Sequence, residues 1–298
     1  MPFQVKEYTV TIRNYPYRIL DAGEGTPFIW LHGMFHSLEV EDIFAVFDFK
    51  VLSMFVRLIR IELPAHGISP MPESADRLTW TSIAANIREI ADTLGFDRYF
   101  VGGFSQGAGI SAHICLHNPK VIGLVSAMLP KIWDDRPNLR QTYNRLLRRL
   151  ETQNGRSVLE RLFSIARYSP DEVGRNTEIE EKINGLMLKM TTQAAIMILN
   201  GAVQSDMPEK ISLKSFSLPA LVVGWENDSN HPYKSFMDAH IILQPVDYFL
   251  LDSRLHVKSA TFRLLAFIFM YLQIFIAKKL QIAIKYSQFR EIVYIATN

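Results

Sequence analysis

The sequence predicts an α/β protein built on a mostly parallel sheet. Short apolar runs that suit buried strands alternate along the chain with segments of helical spacing. Hydrophobic residues make up 48% of the 298 positions and charged residues 21%, an ordinary balance for a chain with a sizeable core. Amphipathic segments from 131 to 215 interrupt the alternation. We therefore expect a doubly wound sheet with an inserted helical cap.

The first two strands form a predicted hairpin. Residues 6–12 and 17–20 show strand character, with a turn at 14–16 between them. The remaining strands are short segments of strand character, of which residues 27–31 are a continuous apolar run that suits a strand buried on both faces of a parallel sheet. They occupy 27–31, 56–63, 99–101, 121–129, 219–224 and 247–251.

Helices are predicted where apolar residues recur at helical spacing. They cover 79–94, 110–117, 140–153 and 178–200. Residues 262–277 are apolar almost all round but shorter than the ~20 residues of a membrane span, so we expect a buried closing helix. A helix that lies at a membrane surface, or one that binds a partner, is the less favoured alternative.

Composition and charge exclude several classes of protein. The net charge of +2 and the lack of a basic-aromatic cluster argue against nucleic-acid binding. One cysteine, Cys115, excludes a disulfide framework, and the first ten residues do not resemble a signal peptide, so we expect a cytoplasmic setting. Neither a metal-binding motif nor a dinucleotide fingerprint is present, so we expect no metal and no cofactor.

A G-x-S-x-G motif carries the chemistry. It runs from Gly103 to Gly107, where a predicted strand meets a predicted helix, and this arrangement is called a nucleophile elbow. Three fixed positions would occur by chance in roughly one chain in ten of this length, so the motif needs its structural context. Ser105 is the candidate nucleophile, and a serine in an ordinary glycine-rich turn is the alternative.

The order of motifs resembles that of the α/β-hydrolase fold family over roughly residues 8–266. The matching segments are His-Gly-Met-Phe at 32–35, Leu-Pro-Ala-His-Gly-Ile-Ser at 63–69, the motif at 103–107, Asp228 after the seventh strand and His256 after the eighth. The resemblance implies a hydrolase core at 1–130 and 216–278 and a helical cap at 131–215. Residues 279–298 form a C-terminal extension of unassigned role.

By this resemblance, Ser105, Asp228 and His256 form a catalytic triad. His256 is the only histidine after the last strand, although Leu255 stands where the family usually has glycine. Glu226 is a rival for the acid. Asp134 and Asp135 are more distant rivals, and His231 is assigned to the loop or to the substrate side rather than to catalysis.

The same resemblance implies the groups around the triad. The backbone N–H groups of Met34 and Gln106 would form the oxyanion hole. Phe35 and Phe104 are candidate substrate-binding residues, and His32 is expected to bond nearby backbone.

These residues predict a serine hydrolase that cleaves a carboxylic ester of a small, partly apolar substrate through an acyl-enzyme. A lactone, a thioester or a carbon–carbon bond beside a ketone is the alternative target. A catalytically weak ligand-binding or scaffold protein is the alternative from another class. A serine at the elbow argues against relatives that use an aspartate there, such as epoxide hydrolases and haloalkane dehalogenases.

Overall fold

A computed structural model describes most of the chain. It covers residues 4–44, 46–164, 177–215, 218–225, 228, 230–243, 246–251 and 257–279.

The described residues form a sheet of eight strands, numbered in chain order and arranged as β1-β2-β4-β3-β5-β6-β7-β8. The pairs β1–β2 and β2–β4 are antiparallel, and every other pair is parallel. This topology confirms the predicted mostly parallel α/β fold. The strands are β1 Val5–Ile12, β2 Tyr15–Ala22, β3 Pro27–Leu31, β4 Arg57–Ile61, β5 Tyr99–Phe104, β6 Val121–Ala127, β7 Ala220–Trp225 and β8 Val246–Leu251.

Helices pack on both faces of the sheet. One face carries α3, α4 and α10, and the other carries α2, α11 and part of the helical segment between β6 and β7. The helices are α1 Leu38–Phe44, α2 Phe49–Leu52, α3 Trp80–Thr93, α4 Gln106–Cys115, α5 Arg136–Thr152, α6 Gly155–Ser164, α7 Thr177–Met187, α8 Thr192–Val203, α9 Lys210–Lys214, α10 Tyr233–Ile242 and α11 Val257–Lys279.

The first hairpin turns one residue earlier than predicted. Arg13 and Asn14 both have positive φ, at 49° and 62°, as a two-residue type I′ turn requires. Tyr15 therefore pairs directly with Ile12, and Pro16 lies inside β2. Proline is tolerated there because β2 does not pair with β4 until Ile19.

One helical prediction needs correction, and two short helices were missed. The single helix expected at 178–200 is two helices, α7 and α8, bent by 89° at a short break. Thr191 starts α8, where its hydroxyl accepts a hydrogen bond from the Ala194 N–H at 3.1 Å. The short helices α1 and α2 were not predicted at all, because one or two turns give too little periodicity to recognise.

The closing helix α11 packs one face on the sheet. Leu264, Phe267 and Ile268 are fully buried, as predicted, whereas Phe262 on the opposite face is 67% exposed. Within the described part of the chain, no single helix has the length and apolarity to cross a membrane, although the bent pair α7 and α8 meets both criteria together.

Helices α5 to α9 all lie between β6 and β7 in the chain. They occupy the segment for which the sequence predicts a cap. The division of the chain into a core, a cap and an extension stays a prediction, and residues 280–298 lie outside the described residues.

Candidate active site

Ser105 occupies a sharp turn between strand and helix. Strand β5 ends at Phe104 and α4 begins at Gln106, so the helix starts four residues before the predicted 110. Ser105 itself has φ 54° and ψ −111°, a conformation that costs of order 1–3 kcal/mol for a residue with a side chain. Its N–H donates to the Ala127 carbonyl of β6 at 2.9 Å, which holds the strained residue against the sheet.

Two glycines make this turn sterically allowed. A Cβ on Gly103 would lie 2.4 Å from the Gly107 carbonyl carbon, and a Cβ on Gly107 would lie 2.1 Å from the Leu31 carbonyl oxygen. Both contacts are with backbone, which cannot move aside as a flexible side chain could. The chain therefore needs glycine on both sides of Ser105 to bring α4 this close to β3.

Ser105 is joined by hydrogen bonds to a histidine and an aspartate. The His231 Nε2 lies 3.0 Å from the Ser105 Oγ, and the His231 Nδ1 lies 2.6 Å from the Asp228 Oδ2. The carboxylate can only accept, so Nδ1 carries the proton and Nε2 is free to accept from the serine hydroxyl. This geometry is that of a nucleophile, a base and an orienting acid.

The sheet topology explains how these groups meet. Strands β5, β6 and β7 are parallel neighbours, so the residues that follow them lie at the same edge of the sheet. With neighbouring strands about 4.8 Å apart, Ser105 and Asp228 stand roughly 10 Å apart across β6. The imidazole of His231 spans this gap.

Asp228 is set up to remain ionised. Burial raises the pKa of its carboxyl, but hydrogen bonds from the His231 side chain and from the backbone N–H groups of Asn230 and His231, together with the attraction of His231, hold it below its usual value. The two backbone bonds to Oδ1 are 2.8 and 3.2 Å long. An ionised acceptor keeps the proton on Nδ1 of the histidine.

The predicted base, His256, lies outside the described residues, so its assignment stays a prediction. The rival acid Glu226 also lies outside them. Of the more distant rivals, Asp134 pairs with Lys210 at 2.7 Å and Asp135 pairs with Lys234 at 3.0 Å. Both aspartates are therefore engaged in ion pairs with lysines.

Sequence reasoning assigned His231 to the loop or the substrate side, whereas in the structure its Nε2 lies within hydrogen-bond distance of the Ser105 hydroxyl. The signal that could have identified it is its spacing. His231 follows Asp228 by three residues and precedes Pro232, which is the N-cap residue of α10. An Asp-x-x-His spacing can bring the carboxylate to the imidazole of the same segment.

The two predicted oxyanion donors lie in the turn after β3 and at the start of α4. Gln106 is the first residue of α4, where backbone N–H groups have no partner within the helix, and its side chain is buried. Met34 is half-buried in the turn that follows β3, and the next residue, Phe35, has φ 65°. These positions agree with the roles that the resemblance implies, which remain predictions.

His32 bonds backbone, as expected. Its Nδ1 donates to the Gly33 carbonyl at 2.8 Å, and its Nε2 accepts from the Leu63 N–H at 3.0 Å. Burial, together with the neighbouring His66, lowers the pKa of His32 to about 3. The neutral imidazole of His32 therefore links the chain after β3 to the chain after β4 by a hydrogen bond.

The two predicted substrate-binding residues, Phe35 and Phe104, are buried members of the same hydrophobic cluster. Phe104 is 4% exposed and meets the His231 ring edge-on at a centroid distance of 5.2 Å. Phe35 is 8% exposed and contacts Phe163 of α6 at 5.8 Å. Phe35 thus connects the loop after β3 to the helices between β6 and β7.

The described residues contain no group of three or more histidine, cysteine, aspartate or glutamate side chains that could hold a metal ion.

Comparisons with known proteins agree with this architecture. Residues 26–166 match a family model described as the alpha/beta hydrolase fold. A search of curated proteins found no significant match.

Solved structures with the same fold include enzymes that act on esters and lactones. An enol-lactonase from Burkholderia xenovorans LB400 is 14% identical, with a TM-score of 0.73 over 88% of this chain and 99% of that one. A thermophilic esterase from Thermogutta terrifontis is 18% identical, with a TM-score of 0.71 over 91% and 98%. An esterase from Exiguobacterium antarcticum is 17% identical, with a TM-score of 0.67 over 80% and 87%.

Proposed function

We propose that the chain, whose residues 26–166 match the α/β-hydrolase fold family model, is a serine hydrolase that cleaves a carboxylic ester of a small, partly apolar substrate. The observation that carries the proposal is the contact between the Ser105 hydroxyl and an imidazole whose other nitrogen bonds a carboxylate. A free serine hydroxyl is a weak nucleophile at neutral pH, and a positioned base corrects this.

The proposed reaction proceeds in two halves. The Ser105 Oγ attacks the ester carbonyl carbon while its proton passes to the imidazole Nε2. The tetrahedral intermediate collapses, the bond to the alcohol oxygen breaks, and the imidazolium returns the proton to that oxygen. Water then attacks the acyl-enzyme in the same way, and the acid leaves with Ser105 restored.

The oxyanion is stabilised by backbone donors. The N–H groups of Gln106 and Met34 are proposed to hold the negative oxygen, and the N-terminus of α4 adds the positive end of its dipole. The strained conformation of Ser105 supports this role, because it lifts the side chain clear of β5 while leaving the next N–H at the start of the helix.

Substrate selection is proposed to lie with the helices between β6 and β7. The contact between Phe35 and Phe163 brings α6 next to the loop that carries Met34, so an acyl or alcohol group near the oxyanion hole would meet apolar side chains. Clefts between two parts of a protein are common places for small-molecule sites. We therefore expect a preference for apolar groups of modest size.

A lactone is the second candidate substrate. The enol-lactonase has the highest TM-score of the three structures described above, at 0.73. A lactone is a cyclic ester, and Ser105 would open it by the same acyl-enzyme chemistry with the alcohol still attached to the acyl group.

The test measures turnover of p-nitrophenyl acetate, butyrate and octanoate, and of a simple lactone, by wild type and Ser105→Ala. Ser157→Ala, which removes an exposed serine on α6, is the control. We expect Ser105→Ala to lose roughly 10⁶ in turnover, as for other triad serines, and the control to match wild type. Ester hydrolysis that survives in Ser105→Ala would overturn the proposal.

A further inference from the structure

We propose that Glu41 and His36 are positioning residues for the reaction, because together they hold the turn that presents the Met34 N–H to the oxyanion. The inference rests on the proposed function and deepens it, since it gives a role in the chemical step to two buried residues that the reaction described above does not use. Neither residue needs to touch the reacting atoms. Each acts through the backbone of the four residues from Gly33 to His36, which we call the oxyanion turn.

The oxyanion turn has an unfavourable backbone conformation. The His36 N–H donates to the Gly33 carbonyl at 3.2 Å, which closes a four-residue β-turn with Met34 and Phe35 at its centre. Phe35 has φ 65°, in the left-handed region where glycine is the usual residue. A residue with a side chain stays in this region only where its surroundings hold it. The direction of the Met34 N–H therefore depends on contacts outside the turn.

A buried carboxylate anchors the end of the oxyanion turn. The His36 Nδ1 donates to the Glu41 Oε1 at 2.8 Å and the Trp30 Nε1 donates to the Oε2 at 3.0 Å, so each carboxylate oxygen has a partner. Glu41 and Trp30 are each 1% exposed. Trp30 lies in β3, the strand that leads into the turn, and Glu41 lies in α1, the helix that follows it. One carboxylate thus ties the turn to the elements on both sides of it.

The ring of His36 fixes the oxyanion turn against the nucleophile. It is stacked on the ring of Phe104, the residue directly before Ser105, with centroids 5.4 Å apart. The first residue of the turn meets the same ring, since a Cβ on Gly33 would lie 2.6 Å from the Phe104 Cδ1. Both ends of the turn therefore pack on one aromatic side chain next to Ser105. An oxyanion hole requires such a fixed arrangement, because its two N–H groups must point at one oxygen about 3 Å away.

The polar character of the pair indicates positioning rather than packing alone. The rings beside it are apolar: Phe44 meets His36 edge-on at 5.3 Å, and Phe47 meets Trp30 edge-on at 5.4 Å. Burying a carboxylate in such surroundings is unfavourable, and an apolar residue of similar size would fill the same space without that penalty. Hydrogen bonds to Glu41 are directional, so they set the orientation of His36 in a way that apolar contacts do not.

The test uses a hexyl trifluoromethyl ketone as a probe of the oxyanion hole. The Ser105 Oγ adds to the ketone carbon while its proton passes to the imidazole that it contacts, and the carbonyl electron pair moves to the oxygen, which becomes an oxyanion. The ketone has no leaving group, so the adduct mimics the tetrahedral intermediate. Its inhibition constant depends on the oxyanion hole and, unlike kcat, does not depend on the fraction of the protein that is folded.

The variants are His36→Leu, which removes the bond to Glu41, and Glu41→Gln, which removes the charge. We expect each to weaken ketone binding by roughly 10- to 100-fold and to lower kcat for the best ester by about the same factor, with KM within about three-fold of wild type. His36→Asn places an amide nitrogen near the position of Nδ1 and should bind the ketone within a few-fold of wild type. Asn86→Leu, which removes a buried hydrogen bond to the Tyr17 hydroxyl, is the control and should change neither ketone binding nor KM.

The three variants decide the inference. Weaker ketone binding by His36→Leu and Glu41→Gln, with recovery in His36→Asn, supports it. Ketone binding that is unchanged in His36→Leu or in Glu41→Gln overturns it, and so does a loss in His36→Asn as large as that in His36→Leu. Because the inhibition constant is measured on the folded protein alone, a loss of stability in a variant does not imitate the expected result.

The failure of the proposed function has a different signature. If wild type and Ser105→Ala bind the ketone equally, no adduct with the serine forms, and the inference falls together with the serine mechanism. If Ser105→Ala loses binding while His36→Leu and Glu41→Gln bind as wild type does, the serine mechanism stands and only the positioning role is wrong.

Discussion

The imidazole of His36 is stacked on the ring of Phe104, with centroids 5.4 Å apart and ring planes inclined by 14°. Phe104 also contacts the ring of His231 at 5.2 Å. His36 in turn donates from Nδ1 to the Glu41 Oε1 at 2.8 Å. The residue before the nucleophile therefore connects a buried histidine–glutamate pair to the imidazole that bonds Ser105.

Replacing Phe104 with leucine should lower kcat by more than a loss of folding stability accounts for. The smaller side chain removes the ring that His36 and His231 pack against, and a misplacement of about 1 Å at a catalytic group can cost roughly 10²-fold. We expect a 10- to 100-fold lower kcat in ester hydrolysis. Phe100→Leu, a fully buried phenylalanine on the same strand, is the control. Equal losses of kcat in both variants would contradict this role.

Glu41 should stabilise the fold in a pH-dependent way. Burial raises the pKa of its carboxyl, but the hydrogen bond and charge of His36 and the Trp30 Nε1 bond at 3.0 Å hold it below its usual 4.5. A folded-state pKa below the unfolded one contributes stability above pH 4.5, which is lost as pH falls through the folded value. Urea unfolding of wild type and Glu41→Gln should differ by about 1–3 kcal/mol at pH 7.

The difference in unfolding free energy between wild type and Glu41→Gln should shrink as the pH is lowered from 5 to 3, because the unfolded chain then takes up a proton on Glu41 that the folded carboxyl resists. A difference in unfolding free energy that stays constant over this range would show that the charge of Glu41 does not contribute.

Arg136 should anchor the helical segment between β6 and β7. Its side chain is fully buried, and its guanidinium donates to the Ser205 and Ala202 carbonyls at 2.8 Å and lies over the Trp80 ring at 4.5 Å. Burial lowers its pKa. Arg136→Lys keeps the charge but loses the planar fork, so we expect about 2–4 kcal/mol less stability in urea unfolding.

The control for Arg136 is Arg148→Lys, an exposed arginine on the same helix, for which we expect a change within about 0.5 kcal/mol. Similar effects for the two variants would refute an anchoring role of the buried guanidinium.

Gly107 should not tolerate a side chain. A Cβ there would lie 2.1 Å from the Leu31 carbonyl oxygen, so Gly107→Ala must displace α4 from β3. We expect a loss of more than ~3 kcal/mol in thermal or urea unfolding, because overpacking against backbone is costly. Gly185→Ala in α7, where a Cβ would meet nothing within 4 Å, should instead gain about 0.5–1 kcal/mol. A stable Gly107→Ala protein would show that α4 is not held this closely.

The parallel strands and the turn at Ser105 could be predicted because each restricts the residue types at neighbouring positions. Residues 121–127 are apolar apart from Ser126 because β6 is buried on both faces, and glycines flank Ser105 because α4 touches β3. Shorter features were missed. The turn at Arg13 and Asn14 depends on two positive φ angles, and the sequence has no glycine at either position to indicate them.

The contact between His231 and Ser105 could not be predicted from position alone. The eight histidines of the chain have the same side chain, and the choice of His256 relied on its place after the last strand. The contact depends on how Asn230 and His231 are placed, and their backbone N–H groups are held by hydrogen bonds to the Asp228 carboxylate. Such bonds are local in space but carry no hydrophobic period that a sequence pattern could show.

The measurement that tests the central claim most directly is labelling with a fluorophosphonate, followed by peptide mass spectrometry to locate the adduct. The reagent bonds covalently to a serine only when a base activates its hydroxyl. We predict one adduct, on the peptide that contains Ser105, in wild type and in Ser157→Ala, and none in Ser105→Ala. A folded wild-type protein that takes up no label, or takes it up equally in Ser105→Ala, would contradict the assignment of Ser105 as an activated nucleophile.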